Sequence, residues 1–271
     1  MNEEIYMVGG FTGWRQEFID KLPKVKFDNP IYHNQSSITK LNSSDMGSAS
    51  TKPCLAYVPE GKRLGTMSYC ELGTARAAGM PIISIDENKE KDSILERIAS
   101  YEFGSKDEAF KFLKNNPPLD SAYNGVSINN KTKNKEPCEK ALLYGMFEIF
   151  LDNDTYNNGP LTKDYVGLSS RNFSIDSFSR DTDLLVVNFE KGQKHAADGL
   201  FLMGLAYYTE VPIILLEGND VPYPPLLGLA RRVMVGPNRF DHLNEYLKNL
   251  KSQHIADEAL VYYNLMNKFN K

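Results

Sequence analysis

Glu71 is the acidic residue best placed to do chemistry. It lies in Gly65-Thr66-Met67-Ser68-Tyr69-Cys70-Glu71-Leu72-Gly73, a stretch that follows an apolar run and a turn. In α/β proteins that location lies beyond the carboxyl ends of the sheet strands, where ligands bind. A helix start there also offers backbone N–H groups suited to an anion. The stretch has a second, altered copy, Asp198-Gly199-Leu200-Phe201-Leu202-Met203-Gly204-Leu205-Ala206. In both copies eight positions separate the helix glycine, Gly73 or Gly204, from the proline, Pro81 or Pro212, that opens an apolar strand. Two residues before its glycine the first copy has Glu71, and the second has Leu202. A duplicated unit that keeps the acid once implies one active site and one supporting domain.

The elements that position Glu71 read as alternating strands and helices. Ile5-Tyr6-Met7-Val8 is a short apolar strand ended by Gly9-Gly10, and a helix is expected from Thr12 to Leu22 with Trp14, Phe18 and Leu22 on one face. Residues 23–51 are polar, rich in Ser and Asn, and poorly patterned, and read as a long functional loop. Cys54–Val58 reads as a strand and Thr66–Ala78 as a helix stopped by Gly79. Pro81–Ile85 is a continuous apolar strand of the kind covered on both faces. Asp107–Lys114 closes the first unit as an amphipathic helix.

Pro117-Pro118 and the polar run 129–135 mark a linker. Domains are therefore expected at 1–117 and 137–271, with a linker at 118–136. In the second, 141–151 is apolar and of ambiguous type. Asp183–Phe189 and Pro212–Leu216 are buried strands, with a helix over 199–208 between them. Arg232–Val235 is a short strand, and helices are expected over about 240–250 and 256–269. The fold class is α/β: two tandem flavodoxin/Rossmann-like units with mainly parallel sheets.

These residues resemble the nucleoside 2-deoxyribosyltransferase family. Ile5–Phe11 is similar to the family's opening strand and glycine turn, Gly65–Gly73 to its GTxxxELG-type helix, and Glu102–Phe110 to its last strand and helix. Ile175–Val187 and the 226–250 region carry the resemblance in the second unit, whose copy is degenerate at Leu202. The resemblance implies cleavage or transfer of the N-glycosidic bond of a 2′-deoxynucleoside or deoxynucleotide. Glu71 would be the nucleophile, with Tyr6 bonded to it and fixing its rotamer. It also implies substrate contacts at Gly9, Gly10, Phe11, Asp45, Gly65, Thr66 and Ser68. The family's aspartate shortly before the glutamate helix has no counterpart at Arg63-Leu64-Gly65. Glu60 is the nearest acid upstream, and Asp45 is matched across a gap. The family's chain-terminal carboxylate has no clear equivalent in Asn270-Lys271.

A carboxylate facing the anomeric carbon stabilises an oxocarbenium-like state or forms an ester with it, and a second displacement retains configuration. Whether water or a second base makes that displacement is left open. The bland alternatives are a solvated Glu71 near a helix start, a surface hydroxyl on Tyr6, and Thr66 or Ser68 as helix N-caps. The competing functional reading is a non-catalytic nucleotide-binding or sensing protein on the same fold.

Bulk properties narrow the classes. The chain has 271 residues, 41% hydrophobic and 24% charged, with a formal net charge of −4. That balance argues against polymeric nucleic acid as partner and fits a small nucleoside or nucleotide ligand. An odd count of cysteines, Cys54, Cys70 and Cys138, fits free thiols in a reducing compartment. Met1-Asn2-Glu3-Glu4 lacks a signal-peptide pattern, no apolar run reaches membrane-spanning length, and a cytoplasmic protein without membrane contact is expected. No cofactor is implied. Asp152-Asn153-Asp154 lacks the glycine and glutamate of a calcium loop, so no metal site is expected. The histidines, His33, His195, His242 and His254, have no ligand spacing and read as surface or partner-facing. Asn188, ending a strand, and Asp198, opening a helix, are expected to face the second unit's equivalent of the site, either lining a vestigial pocket or contacting the first unit's substrate. Homo-oligomerisation is compatible with the family pattern.

Overall fold

The computed structural model describes residues 4–10, 13–33, 36–115, 141–144, 182, 184–219 and 221–249, with backbone only for 141–144 and 247–249. The chain divides into two compact units: residues 1–128 with 200–208, and residues 129–199 with 209–271.

In the first unit the strands are β1 (Glu4–Val8), β2 (Lys26–Asp28), β3 (Cys54–Val58), β4 (Ile82–Asp86) and β5 (Tyr101–Phe103). They form one parallel sheet in the order β2-β1-β3-β4-β5. This is the flavodoxin-like order, whose ligand crevice lies at the β1/β3 switch point. The intervening helices are α1 (Trp14–Lys21), α2 (Ile38–Thr51), α3 (Thr66–Ala77), α4 (Leu95–Ile98) and α5 (Lys106–Asn115).

Strand alternation sorts the two faces of the sheet. Ile5, Met7, Leu55, Tyr57, Ile83 and Ile85 point to one face, where they bury Trp14, Phe18 and Leu22 around α1 and Ala109, Phe110 and Leu113 of α5. Phe18 and Phe110 pack with ring centroids 4.3 Å apart, the centre of this layer. Burying each such aromatic contributes about 1.5–3 kcal/mol. The in-register partners Tyr6, Asp28 and Cys54 necessarily share the opposite face. There Cys54, Ala56 and Ser84 are small and buried, so helices on that face can approach closely.

Helix α3 starts after Gly65, whose extended backbone makes it the N-cap without any side-chain cap bond. The hydroxyls of Thr66 and Ser68 therefore do not cap the helix. Gly79, at φ +73°, ends it in a Schellman arrangement: Gly79 N–H donates to the Arg76 carbonyl and Met80 N–H to that of Ala75.

Within the first unit α3 meets residues 200–208 of helix α6 (Ala197–Tyr208). The contact is reciprocal. A Cβ on Gly73 would fall 2.1 Å from the Phe201 carbonyl oxygen, and one on Gly204 1.9 Å from that of Cys70. Thr74 Oγ1 donates to the Gly204 carbonyl at 3.1 Å. The two helix glycines of the repeated motif are needed because backbone touches backbone.

Residues 23–51 are not a long loop. They form β2, a short 3-10 turn (Pro30–Tyr32) and the whole of α2. Helix α2 is hidden in the sequence because it is rich in Ser, Asn and Thr, which favour caps and turns. It is anchored by Ser37, whose Oγ accepts from Lys40 N–H, and it buries Asn42, Asp45, Met46 and Ala49.

The second unit contains the parallel sheet β6-β7-β8-β9, formed by β6 (Ala141–Tyr144), β7 (Leu184–Phe189), β8 (Ile213–Glu217) and β9 (Arg232–Val235). Helices α7 (Pro224–Leu227) and α8 (Arg239–Asn249) belong to it. Continuous burial along β7 and β8 matches their apolar runs. Among the described residues no helix is long and apolar enough to cross a membrane. The proposed linker, Asp152–Asp154, Ile175, Cys138, His254 and the helix expected over 256–269 lie outside the described residues, as does the terminal Asn270-Lys271.

Candidate active site

On the face shared by Tyr6 and Asp28, one helix supplies each of two carboxyl groups: α3 supplies Glu71, and α2, packed against α3, supplies Asp45. Glu71 is only 6% exposed. It is not the solvated helix glutamate that its sequence position alone allows. Burial pushes its carboxyl up to about 8, and the nearby Asp45 charge adds to the rise. Arg15 and Tyr6 act in the opposite direction.

Tyr6 is fully buried, not a surface tyrosine. Its hydroxyl has no hydrogen-bond partner. It is close enough to Glu71 for each to perturb the other, and burial with the Glu71 charge holds the phenol well above its ordinary range. The hydroxyl still acts on Glu71 as a hydrogen-bond donor that lowers its carboxyl, but it falls short of the geometry of a closed bond, so the bond expected from sequence is approached and not completed.

Asp45 is also buried, and burial raises its carboxyl above the ordinary range. Its Oδ1 lies 2.6 Å from His33 Nδ1. The other ring nitrogen, Nε2, lies 2.8 Å from Asp28 Oδ1. Asp28 Oδ2 in turn accepts from Lys52 Nζ at 2.7 Å, and Lys52 reaches Glu4 at 2.8 Å. Lys52, Ser48 and His33 together hold Asp28 below the usual carboxylate range against the cost of burial. The His33 ring stacks on that of Tyr6, with centroids 5.9 Å apart and planes 9° from parallel. His33 is therefore an inward-facing member of the site, contrary to its sequence reading as a surface residue.

Arg15, at the start of α1, closes the other side. It is 4% exposed, and its Nη2 donates to the carbonyls of Gly9 at 2.6 Å and Met7 at 3.3 Å. Its charge is felt at Glu71, Tyr6 and Asp45. Gly9 takes φ +136°, a conformation suited to glycine, and a Cβ there would meet the Tyr57 carbonyl oxygen at 3.2 Å. This turn lets the carbonyls at the end of β1 converge on the arginine.

The structure brings together Tyr6, Asp45 and Glu71 of the sequence-predicted set, with Gly9 beside them through Arg15. Gly10 is exposed and accepts a bond from Trp14 Nε1 at 3.2 Å. Gly65 and Thr66 stand at the start of α3, about one and a half turns before Glu71, and Ser68 is buried about one turn before it. Phe11 lies outside the described residues. Glu60, the nearest upstream acid, is exposed. Sequence reasoning missed Arg15, Asp28 and His33. The available signal was parity: Tyr6 and Asp28 fall on one sheet face once β2 is recognised as a strand.

The strand ends of the second unit hold polar groups bonded to one another. Glu217 is fully buried, with His195 Nε2 at 2.8 Å and Asn219 Nδ2 at 2.8 Å. Arg239 donates to Asn188 Oδ1 at 3.1 Å and to Glu190 Oε2 at 2.8 Å. His195 is thus a paired residue, not a surface one, whereas His242 is exposed. Leu202 is buried, with no ionisable group in its place. Arg232 lies over the Tyr246 ring at 4.3 Å, an ordinary use for a basic residue.

The assembled first-unit site offers two buried carboxyls of raised affinity for protons, a cation, and an idle phenol. Such a pair titrates as a unit, and between its two steps it holds one proton. One carboxyl is then ready to attack or stabilise positive charge while the other is ready to donate. The chain matches no known protein-family model and has no significant match among curated proteins.

Proposed function

We propose that the first unit cleaves or transfers the N-glycosidic bond of a 2′-deoxynucleoside or deoxynucleotide, with Glu71 as nucleophile. The observation that carries this reading is the buried Glu71 carboxyl set against the unpartnered Tyr6 hydroxyl and the second buried carboxyl of Asp45. Glu71, ionised, bonds to the anomeric carbon as the C–N bond breaks and its electron pair leaves with the base. Asp45, protonated, gives its proton to a base nitrogen. Tyr6 donates its idle hydrogen bond to the Glu71 carboxylate, an interaction of about 1.5–3 kcal/mol. Water or a second base then displaces Glu71 from carbon, with its proton taken by Asp45.

The resemblance to the deoxyribosyltransferases through Gly65–Gly73 supports the same assignment and remains a resemblance. The test is incubation with each 2′-deoxynucleoside and deoxynucleoside monophosphate, with and without a second free base, followed by chromatography of the bases. Release or exchange that disappears in Glu71→Ala is expected. Absence of turnover with every substrate by folded wild-type protein would sink the proposal.

One observation favours the second reading, a non-catalytic nucleotide-binding protein. A carboxyl pushed up to about 8 is roughly nine-tenths protonated at pH 7, a hydrogen-bond donor more often than a nucleophile. On that reading Glu71→Gln, which keeps a donor, retains ligand-induced thermal stabilisation and the wild-type protein turns nothing over.

A further inference from the structure

His33 has two carboxylate neighbours and no other use in the proposed reaction. Asp45 Oδ1 lies 2.6 Å from its Nδ1, and Asp28 Oδ1 2.8 Å from its Nε2. Ionised carboxylates only accept hydrogen bonds, and a neutral imidazole donates only one. With both bonds made to ionised carboxylates, the ring must be the doubly protonated imidazolium. If the ring is neutral, one carboxyl must hold the proton instead. Either way the triad carries the same number of protons, and only their position along the bonds differs.

The surroundings decide which bond the mobile proton occupies. Asp28, on β2, is doubly matched, by His33 and by Lys52 Nζ at 2.7 Å. It therefore remains ionised. Asp45, on α2, differs from it: burial raises its affinity for a proton, and the Asp28 charge adds to the rise. The proton between His33 and Asp45 is the movable one. From β1 the Tyr6 ring stacks face to face on the imidazole, an arrangement that favours its cationic form. Beyond Asp45 stand Glu71 on α3 and Arg15 on α1, both electrostatically coupled to it. On the other side Asp28 and Lys52 lead outward, with Lys52 27% and Glu4 45% exposed at their side chains. The chain of groups thus runs from the buried carboxyls toward water.

We propose that His33 is a positioning residue of this site: clamped as an imidazolium between Asp28 and Asp45, it orients Asp45, supplies it with the proton given to the leaving base and takes that proton back in the second displacement. This rests on the glycosidic reading above. The His33 Nδ1 proton moves to Asp45, which passes it to the base nitrogen as the C–N bond breaks, leaving Asp45 as carboxylate and neutral His33 with its Nε2–H still directed at Asp28. In the second displacement the incoming water or base gives its proton to Asp45, and His33 Nδ1 takes it back, so the triad ends with the protons it began with.

Two measurements test this on the full-length protein. The first is nitrogen-detected NMR of the histidine rings, with the His33 signals identified by their loss in His33→Gln. The expected result is protonation of both ring nitrogens at pH 7 and a titration midpoint above the ordinary 6.5, moving down toward 6.5 in Asp45→Asn. A midpoint at or below 6.5 in wild type overturns the clamp. The second is turnover. Glutamine keeps a donor toward Asp45 but holds no releasable proton, so His33→Gln should lower kcat at least tenfold, leave KM within about threefold, and alter the pH profile. Retention of wild-type kcat and pH profile by folded His33→Gln overturns the proton return. Wild-type protein that turns over none of the substrates overturns the glycosidic reading, and the proton return with it. The NMR result separately decides whether the imidazolium clamp exists.

Discussion

The strand ends of the two units share a scaffold but not a chemistry. A separation of 131 positions relates Gly61 to Gly192, Asp86 to Glu217, Asn88 to Asn219 and Gly73 to Gly204. Gly61 and Gly192 both adopt positive φ, at 70° and 73°. Their amides both donate to the paired asparagine, to Asn88 Oδ1 at 2.7 Å and Asn219 Oδ1 at 3.1 Å. Both asparagines in turn bond the acidic residue at the end of the preceding strand. These groups tie one turn to the next and are fully used in doing so. The same offset takes Glu71 to Leu202 and Leu64 to His195. The difference teaches which polar residues serve the fold. Those present in both copies build turns, whereas among the described residues the buried, proton-binding carboxyl and the idle phenol belong to the first unit.

The sharpest way to break this comparison is to make the first copy resemble the second at Glu71. Glu71→Gln should lower turnover by about 10³ or more, as loss of a nucleophile does. Glu71→Leu should do the same to activity yet stabilise the fold. The sign follows from linkage. Raised in the folded state from 4.5 to about 8, the carboxyl favours folding fully below about 4.5, and that contribution is lost as the pH rises through about 8. The loss is of the order of 5 kcal/mol. Urea denaturation of wild type and Glu71→Leu at pH 5 and pH 9 should therefore show the variant gaining most at pH 9. Equal differences at both pH values would show that Glu71 is not held protonated. The turnover of wild type should rise with pH toward about 8 as the nucleophile ionises.

The reciprocal helix contact is the next largest effect. Gly73→Ala and Gly204→Ala each place a Cβ about 2 Å from a backbone carbonyl oxygen, at 2.1 Å and 1.9 Å. Backbone cannot yield as a flexible side chain can, so each should cost about 3 kcal/mol or more. Denaturation midpoints should fall alike for the two variants. If either alanine is tolerated within about 1 kcal/mol, the close approach of α3 and α6 is wrong.

The second unit supplies a control. Glu217→Gln removes a buried charge opposite His195 while keeping the bond to Asn219 possible. It should cost about 2 kcal/mol in urea denaturation and leave kcat and KM unchanged in folded protein. A large loss of turnover at full folding would place chemistry at the second set of strand ends and erase the distinction drawn here.

How much of this was legible in the sequence follows from what each signal measures. The parallel α/β alternation was legible because β3, β4, β7 and β8 are unbroken apolar runs, as fully covered strands must be. Glu71 stood out because the copy at Leu202 lacks it. Helix α2 was not legible: its Ser, Asn and Thr residues have turn-like propensities, and its burial comes from packing on α3. With α2 and β2 unrecognised, Asp45 was reachable only through the family resemblance, and His33 read as a lone histidine. Arg15 was invisible for another reason. Its role depends on the turn at Gly9, which aims backbone carbonyls at it, and no spacing rule encodes that.

The smallest predicted effect separates packing from chemistry at a single oxygen atom. Tyr6→Phe removes a buried hydroxyl that has no hydrogen-bond partner, so it should raise stability by about 1 kcal/mol. The same oxygen is the donor proposed to hold ionised Glu71, and its removal should lower kcat/KM at least tenfold, or about 1.4 kcal/mol. Because Tyr6 opposes the upward push on Glu71, the acidic limb of the pH profile should also move to higher pH. Urea denaturation and kcat/KM measured from pH 5 to 9 check both halves. A more stable but less active variant is the outcome expected of a group whose bonding capacity is reserved for the reacting state. Unchanged turnover would reduce Tyr6 to a core tyrosine stacked on His33 and leave Glu71 to be fixed by Arg15 and Asp45 alone.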